Sequence, residues 1–290
     1  LGLRSIDRDF IPAIPGELIS ILGRPGNGKT GFMMRWARWR ARWLQEKNIL
    51  NRVVMFCSWE QSIEELYAFN VAAEERLSIT SMSRGEISDE EWDSVLSAGV
   101  KRITLPLWFI GHSMERRRKR PVINMTNLGL ALTNIENQLD MHMQIDIIFL
   151  DYLQRIPAEG RFESKSIATS EIVDRAKDSA LAYGCPVVLG VQASREVDDR
   201  EDPIPLMGDG QWTSNIEQSS DKIFSVARPC RYKDEGKKFI DMTVQGNCQM
   251  YVSLLKQKLG IDNRGYWVRF DPIYNKLDEL EQHAEERQAS

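Results

Sequence analysis

The chain has 290 residues, of which 42% are hydrophobic and 28% are charged, and its formal net charge is −4. This length and composition predict one large globular domain, and no apolar run of about 18 residues is present to cross a membrane. The acidic balance excludes attraction to nucleic acid by the whole surface, so such a contact would need a local patch or the loops of an oligomer. Four scattered cysteines without C-x-x-C spacing predict reduced thiols, a cytosol-like compartment and no zinc site.

The first strong element joins an apolar run, Leu18–Leu22, to a glycine-rich turn. Residues 23–30 fit the pattern G-x-x-x-x-G-K-S/T of a phosphate-binding loop. The candidate nucleotide-binding residues are Gly23, Arg24, Pro25, Gly26, Asn27, Gly28, Lys29 and Thr30. Backbone N–H groups of such a loop surround phosphate oxygens, Lys29 adds positive charge at the β- and γ-phosphates, and Thr30 can bind Mg²⁺. A helix from Thr30 to about Leu44 directs its positive dipole end at the anion.

Apolar runs and helical patterns then alternate along the chain. Further strands are predicted at Val53–Ser58, Ile103–Gly111, Ile145–Leu150, Pro186–Val191, Lys222–Val226, Met250–Lys256 and Tyr266–Phe270. Further helices are predicted at Ser62–Leu77, Glu86–Gly99, Asn127–Asp140 and Thr169–Tyr183. Strands that are almost entirely apolar and alternate with helices predict an α/β fold, with a mostly parallel central sheet and helices on both faces.

Polar residues of catalytic type follow three of these strands. The carboxyl ends of parallel strands meet at one edge of a sheet, so Glu60, Asp151 and Gln192 are expected beside the phosphate loop. Asp151 has the Walker B position and is a candidate Mg²⁺ ligand through the water shell of the ion. Glu60 is a candidate general base for the attacking water. Gln192 is a candidate γ-phosphate sensor, because a long polar segment, Ser194–Thr213, follows it directly.

Two basic segments have alternative interpretations. The helix that contains Phe32–Leu44 is rich in Trp and Arg, and we interpret it as packed on the sheet with a solvated basic face. The most basic stretch, Glu115–Pro121 (ERRRKRP), is interpreted as a solvated loop, and contact with phosphate or a partner is the alternative.

Several motifs occur in a characteristic order after the phosphate loop: Cys57-Ser-Trp-Glu60, Asp151-Tyr-Leu-Gln154, the run 187–195 and Lys256-Gln-Lys258. Together they resemble the ATPase domain of the DnaB-type replicative helicases, within the RecA-like superfamily. The resemblance implies a RecA-like P-loop NTPase motor domain over residues 1–277, followed by a charged tail at 278–290. It implies ATP and Mg²⁺ as cofactors and a homo-oligomer, a hexameric ring with ATP bound between subunits. It also implies catalytic roles for Lys29, Glu60 and Gln192.

The resemblance further implies DNA-binding loops near Arg155–Ser166 and Asp198–Thr213. The candidate contacts with single-stranded DNA are Arg161, Lys165, Arg200 and Gln211. This chain departs from the family at Lys258, where the family has an arginine that reaches the ATP site of a neighbouring subunit. Lys258, or Arg264 six residues on, is the candidate replacement, although lysine lacks the planar fork of arginine. These residues also do not include the N-terminal helical domain with which the family supports ring assembly and primase contact.

The resemblance predicts ATP-dependent translocation on single-stranded DNA and duplex unwinding by a ring-forming replicative helicase motor. The expected location is the cytoplasm, with a bacterial, phage or plasmid gene as the source. A primase or a helicase loader is a further candidate partner, and no membrane contact is expected. The alternative is a RecA-like ATPase that acts as a nucleotide-dependent DNA-binding switch or assembly factor without unwinding. A small-molecule kinase is disfavoured, because a kinase needs an acceptor pocket and a lid.

Overall fold

The computed structural model describes residues 1–115, 123–138, 143–212 and 214–280, which form a large β-sheet flanked by helices. The strands are β1 (Leu18–Gly23), β2 (Arg52–Ser58), β3 (Leu107–Ile110), β4 (Gln144–Asp151), β5 (Val187–Gln192), β6 (Lys222–Ala227), β7 (Lys238–Phe239), β8 (Met242–Thr243), β9 (Gln249–Gln257), β10 (Arg264–Asp271) and β11 (Lys276–Glu279). The helices are α1 (Arg4–Asp7), α2 (Lys29–Glu46), α3 (Ile63–Glu75), α4 (Ile79–Arg84), α5 (Asp89–Ile103), α6 (Met125–Gln138), α7 (Lys165–Ala182) and α8 (Asn215–Ser219).

Over the described residues, the main sheet has nine strands in the order β11-β10-β9-β6-β1-β5-β4-β2-β3. Six neighbouring strands of this sheet, in the order β3-β2-β4-β5-β1-β6, pair in parallel. Beyond β6, the strands β9, β10 and β11 continue the sheet with antiparallel pairing. Strand β1 lies between β5 and β6, so the turn that follows β1 emerges near the middle of the parallel part of the sheet.

Successive side chains of β1 point into two separate apolar layers, as the period of a strand requires. Ile21 lies in the layer that contains Trp36 of α2. Leu22 lies in the opposite layer, which contains Val173 of α7. Both β1 side chains are fully buried, and each contributes about 1.5–3 kcal/mol of hydrophobic stabilisation. The structure therefore confirms the predicted α/β fold, with a mostly parallel sheet covered on both faces.

Two predicted element boundaries are wrong, and a capping side chain accounts for the first. Helix α7 begins at Lys165 rather than Thr169, since the Ser164 side chain accepts a hydrogen bond from the backbone N–H of Ile167 at 3.2 Å. Helix α5 begins after Ser88 and continues to Ile103, so strand β3 is shorter than the predicted strand that began at Ile103.

The sheet continues slightly beyond the predicted domain limit at residue 277. Strand β11 pairs with β10 through Val268↔Glu279 and Phe270↔Leu277, so the fold includes residues up to Glu279. The rest of the predicted tail, 281–290, lies outside the described residues, as does the basic run from 116 to 121. No described helix is long and apolar enough to cross a membrane.

Candidate functional site

The turn between β1 and α2 has a backbone that requires glycine. Gly28 has φ +84°, and a Cβ there would lie 2.4 Å from Met250 Cε. Gly26 has φ +75°, which side chains other than glycine rarely adopt. The turn therefore keeps its left-handed backbone and its close packing on β9 only with these two glycines.

The side chains of Asn27 and Arg24 hold this loop in place. Buried Asn27 donates to Tyr232 Oη at 2.7 Å and accepts from the backbone N–H of Arg228 at 2.7 Å. Arg24 donates to Asp198 Oδ2 at 2.8 Å. Both side chains are thus engaged within the protein, and only the backbone of these two predicted nucleotide-binding residues remains a candidate contact.

Lys29 lies at the start of α2 with its ammonium group buried under the loop. Nζ donates to the carbonyl oxygens of Gly23 at 2.8 Å and Arg24 at 3.3 Å. Burial lowers the pKa of Lys29 to about 8, and the negative charges of Asp151 and Glu60 oppose this shift. The ammonium group therefore remains mainly charged at neutral pH and is directed to the phosphate loop.

Asp151 is the last residue of β4. Its carboxylate is fully buried, and one of its oxygens has no hydrogen-bond partner among the described residues. Its Oδ2 accepts a hydrogen bond from Thr30 Oγ1 at 2.8 Å. Its Oδ1 has no hydrogen-bond partner among the described residues. Burial raises the pKa of Asp151 to about 6, and the Thr30 hydroxyl and the Lys29 charge oppose this shift. Such an unpaired buried oxygen carries a desolvation cost of about 1–3 kcal/mol that a cation can offset.

The residues present fit Mg²⁺ in this position. Mg²⁺ accepts hydroxyl and carboxylate oxygens, and it usually takes one or two protein ligands together with substrate phosphates and water. Thr30 and Asp151 supply this kind of donor set. The described residues contain no group of three or more His, Cys, Asp or Glu side chains that could hold an ion without a phosphate.

The structure brings the polar residues at the strand ends around one cavity of about 270 Å³. Its lining includes Lys29, Thr30, Glu60, Gln192, Arg228 and Phe270. Glu60 is exposed to the cavity, and its charge acts on both Lys29 and Asp151. Predicted site residues from three distant parts of the sequence therefore line the same cavity, namely Lys29 with Thr30, Glu60 and Gln192, and Asp151 is buried behind them.

Gln154 is a site residue that the sequence indicated only as part of a motif. Its Oε1 accepts from the backbone N–H of Gln192 at 2.9 Å, and its Nε2 donates to the carbonyl oxygen of Gln192 at 3.3 Å. The same Nε2 also donates to the carbonyl oxygen of Gln211 at 3.3 Å. One side chain therefore connects the end of β5 with the polar segment that follows it.

Arg228 and Phe270 are two further site residues that the sequence analysis did not predict. The Arg228 guanidinium lies 5.2 Å from the centre of the Phe270 ring, and both side chains line the cavity. Arg228 also donates to the Gly26 carbonyl oxygen at 3.2 Å. Arg228 directly follows β6, which lies beside β1. The rule that site residues follow the carboxyl ends of parallel strands (the strand-end rule) would therefore have identified it.

The structure places Lys258 and Arg264 far from the cavity of their own chain. Gln257 pairs with Lys222, so Lys258 lies at the edge where β6 begins. The cavity lies at the opposite edge, about 15–20 Å away along a strand of this length. Lys258 is exposed and 3.9 Å from Asp221, and exposed Arg264 pairs with Leu254 in the adjacent hairpin. A catalytic role for either residue is therefore possible only in a neighbouring subunit.

The predicted DNA-binding residues divide into two groups. Arg161 and Lys165 are exposed, and Lys165 Nζ lies 5.0 Å from the centre of the Trp212 ring, so the two polar segments adjoin. In contrast, Arg200 is bonded to both carboxylate oxygens of Asp209, at 2.5 and 2.7 Å. Arg200 therefore has an ionic partner inside its own segment, and its contact with DNA stays a prediction. Gln211 contributes its backbone to the contact with Gln154.

This arrangement defines the class of protein. A parallel sheet in which the central strand leads through a phosphate loop into a buried helix, with a buried carboxylate at the end of a nearby strand, is the architecture of RecA-like P-loop nucleoside triphosphatases. Within that class, the chain belongs to the family of DnaB-like helicase C-terminal domains, whose sequence profile matches residues 1–274.

Curated relatives and solved structures agree with this assignment. The replicative DNA helicase DnaB of Geobacillus stearothermophilus is 25% identical over 290 residues, which cover 99% of this chain and 58% of that protein. A probable plasmid replicative DNA helicase of Chlamydia psittaci is 27% identical over 245 residues, which cover 84% of this chain and 50% of that protein. The replicative DNA helicase DnaB of Mycoplasma genitalium is 26% identical over 219 residues, or 74% of this chain and 43% of that protein. The chain thus spans about half the length of these relatives.

Two solved structures share the fold at low sequence identity. A solved ATPase domain superposes with a TM-score of 0.80 at 19% identity, covering 97% of this chain and 90% of that one. A DnaB-like replicative helicase, solved in a study of its interactions with primase, superposes with a TM-score of 0.79 at 19% identity. That match covers 97% of this chain and 61% of the solved one. Both matches show the RecA-like fold of this chain.

Proposed function

We propose that this chain is the ATP-hydrolysing motor of a DnaB-type replicative helicase, which moves along single-stranded DNA and unwinds duplexes as a hexameric ring of identical subunits. The observation that carries the proposal is the cavity in which Lys29, Thr30, Glu60 and Gln192 meet in front of the unpaired oxygen of Asp151. A site that only bound phosphate would need the loop and the lysine. The additional carboxylate of Glu60 supports hydrolysis.

Binding of ATP would give new partners to Lys29, Thr30 and Asp151. Lys29 Nζ, now bonded to two backbone carbonyl oxygens, would exchange them for β- and γ-phosphate oxygens. Thr30 and Asp151 would hold Mg²⁺, which supplies positive charge that neutralises the phosphate oxygens. A bound cation would also stabilise the ionised form of Asp151, whose pKa burial raises.

In the hydrolysis step, a water oxygen attacks the γ-phosphorus while the bond between that phosphorus and the bridging oxygen of ADP breaks. Glu60 is the carboxylate at the cavity that can accept the proton of this water. Lys29 stabilises the negative charge that develops on the leaving ADP oxygen. The products are ADP and inorganic phosphate, and Glu60 then returns its proton to solvent.

The Arg228–Phe270 pair is a candidate contact for the nucleotide outside its phosphates. The Arg228 guanidinium and the Phe270 ring are largely buried, and the part of this pair that lines the cavity can contact a purine base. Both residues line the same cavity as the phosphate loop. We therefore assign the adenine end of ATP to this side of the cavity.

Coupling to DNA would pass through the end of β5. Gln192 faces the cavity and Gln154 ties its backbone to that of Gln211, next to Trp212. Lys165 lies over Trp212, and exposed Arg161 belongs to the same pair of segments. An aromatic ring beside cations is suited to a single strand, because it can stack on a base while the cations contact phosphates.

A ring of identical subunits would give Lys258 and Arg264 a role at a neighbouring site. Their location at the edge opposite to the cavity makes them unable to serve their own chain but available to a neighbour. A primase and a helicase loader are candidate partners of the ring, and the bacterial cytoplasm is its proposed location. The similarity to a plasmid helicase of Chlamydia psittaci makes a plasmid or phage gene a reasonable source.

Strand separation on a forked duplex tests this proposal. The protein is expected to release the labelled strand only with ATP and Mg²⁺, and Lys29→Ala is expected to remove this activity while the fold is retained. Nucleotide-dependent DNA binding without strand release would instead support the alternative, a switch or assembly factor that does not unwind DNA.

A further inference from the structure

A second cavity lies between α2, α3 and β11 and has a volume of about 360 Å³. Its charged lining includes Arg35, Arg38, Arg42, Glu74, Lys276 and Asp278. Arg38 is nine residues beyond Lys29 on the same helix, which corresponds to about 14 Å along the helix axis. This cavity is therefore separate from the phosphate loop.

Arg38 is the unusual residue in this cavity. Its side chain is buried, with 4% of the residue exposed, yet it lines the cavity. Among the described residues it makes one hydrogen bond, a long one of 3.5 Å from Nη1 to the carbonyl oxygen of Phe69. A guanidinium group has five N–H donors, so most of its hydrogen-bonding capacity is unused.

Two of the three acidic residues in the lining, Glu74 and Asp278, are paired with other cations. Glu74 is shared, with Oε1 at 2.6 Å from Arg42 Nη2 and Oε2 at 2.6 Å from Arg102 Nη2. Asp278 lies 3.5 Å from Lys276 Nζ. Within the part of the chain that the structure describes, neither carboxylate forms an ion pair with Arg38. A nearly buried cation without a direct partner is costly, so the site would gain from an anion.

The electrostatics agree with this geometry. Burial lowers the pKa of Arg38 to about 9, Glu74 opposes this shift, and the neighbouring Arg35, Arg102 and Arg42 add to it. The excess of positive charge remains when the acids are counted. The lining contains four cations, Arg35, Arg38, Arg42 and Lys276, and three acids, Glu46, Glu74 and Asp278, so its net charge is +1.

We propose that this cavity is an anion site that takes a phosphoryl group, with Arg38 at its base and Arg42 and Lys276 at its rim. A positively charged lining favours a phosphate anion, and the planar fork of arginine binds two phosphate oxygens at once. The phosphoryl group is either free phosphate or part of a nucleic-acid backbone. The site stands on the geometry of α2 and β11 and does not depend on the helicase function.

Thermal unfolding in phosphate tests the site, provided that the phosphate loop is disabled. In Lys29→Ala, sodium phosphate is expected to raise Tm above that in sodium chloride of equal ionic strength. At tenfold excess over Kd, the shift for a domain of this size is about 2 °C. Adding Arg38→Met is expected to remove this binding shift and to leave only the general stabilisation that phosphate gives proteins relative to chloride. Equal shifts with and without Arg38→Met would overturn the proposal.

Two further variants keep the test decisive if Arg38→Met does not fold. Arg42 is half exposed at the rim of the cavity, and Arg42→Ala is expected to fold and to weaken the phosphate response. Arg84→Ala removes an exposed arginine from α4, away from the cavity, and serves as the matched control. The proposal is contradicted if Arg42→Ala and Arg84→Ala respond to phosphate alike.

A second ligand distinguishes the two sources of the phosphoryl group, free phosphate and a nucleic-acid backbone. In the same Lys29→Ala background, an oligothymidylate without terminal phosphate is compared with inorganic phosphate. A shift with the oligonucleotide that requires Arg38 assigns the site to a nucleic-acid backbone. A shift with phosphate alone that requires Arg38 assigns it to a free anion. Absence of any shift that requires Arg38 with either ligand overturns the site.

Discussion

At the scale of single residues, Asp151 shows how a site group can reduce stability. Its carboxylate is fully buried, it accepts one hydrogen bond from Thr30, and its other oxygen is unpaired among the described residues. Folding raises the pKa of Asp151 from 3.8 to about 6, so the folded state favours the protonated form. The stability that Asp151 contributes is therefore present at low pH and is lost as the pH rises through about 6.

The first prediction concerns Asp151→Asn, which places a neutral group of the same shape in this position. In EDTA at pH 8, the substitution is expected to raise the free energy of unfolding by about 1–3 kcal/mol, because a buried charge is removed. Between pH 8 and pH 5, this advantage is expected to shrink by about 1.4 kcal/mol, since wild-type Asp151 becomes protonated.

Urea unfolding at the two pH values measures both effects, and Mg²⁺-dependent nucleotide binding is measured in parallel. The variant is expected to lose the Mg²⁺ dependence of nucleotide binding while it gains stability. A variant that is less stable than the wild type at pH 8 would show that the carboxylate is supported by contacts other than those described.

The second prediction concerns Lys165, which is exposed beside the Trp212 ring. If Lys165 contacts a phosphate of single-stranded DNA, then Lys165→Ala lowers affinity and reduces the slope of log K against log salt by about 0.7. Fluorescence anisotropy over a salt series measures the slope. Lys101→Ala, which removes an exposed lysine from α5, is the matched control and is expected to leave the slope unchanged.

At the scale of elements, the end of β5 connects the nucleotide cavity with the segments proposed to bind DNA. Gln154 makes three hydrogen bonds to the backbone of this region, two to Gln192 and one to Gln211. Arg24 of the phosphate loop is paired with Asp198 in the same region. These contacts link the phosphate loop and the end of β5 with the segments proposed to bind DNA. Nucleotide binding and DNA binding would each affect them.

The third prediction follows for Gln154→Ala. ATP turnover without DNA is expected to stay near the wild-type rate, because Gln154 does not line the cavity. Stimulation by single-stranded DNA is expected to fall about 2- to 30-fold, since the link between the two regions is removed. Gln45→Ala, which removes an exposed glutamine from α2 outside both segments, is the matched control. An equal loss of turnover with and without DNA would indicate a general structural role for Gln154.

The elements that could be predicted from the sequence are those whose secondary structure follows from a local pattern of residues. Strand β1 and the phosphate loop are a strong apolar run followed by glycines, and Glu60, Asp151 and Gln192 are found by the same strand-end rule. Strand β11 was missed because its residues, KLDE, include one buried side chain, Leu277, and the strand forms by pairing with β10. The hairpin of β7 and β8 was missed because its strands have two residues each.

Side-chain contacts over long separations could not be predicted from the sequence. Arg24 and Asp198 are 174 residues apart, and Asn27 and Tyr232 are 205 residues apart. Nothing local to either partner specifies such a pair, because its geometry depends on how the strands are ordered in the sheet. For the same reason, the internal pairing of Arg200 with Asp209 was not anticipated.

At the scale of the whole molecule, Lys258 and Arg264 lie at the edge of the sheet opposite to the nucleotide cavity. The fourth prediction is that Lys258→Ala and Lys29→Ala complement each other when mixed in equal amounts. Each variant alone is expected to be nearly inactive. In randomly mixed rings, about one quarter of the subunit interfaces pair an intact phosphate loop with an intact Lys258.

The mixture is therefore expected to hydrolyse ATP faster than the sum of its two components. The same mixing with Arg264→Ala shows which of the two residues acts across the interface. If neither mixture exceeds the sum of its components, then neither residue contributes to a neighbouring site.

The central claim is that this cavity hydrolyses ATP and that DNA controls the rate. Its most direct test is steady-state ATP hydrolysis with and without single-stranded DNA, on protein whose oligomeric state has been determined. Glu60→Gln serves as the control, since it keeps the shape of the side chain but removes the proposed base. Strong stimulation by DNA is expected, together with a loss of about 100- to 10,000-fold in turnover for Glu60→Gln while nucleotide binding is retained. Hydrolysis that is independent of DNA, or that survives in Glu60→Gln, would contradict the central claim.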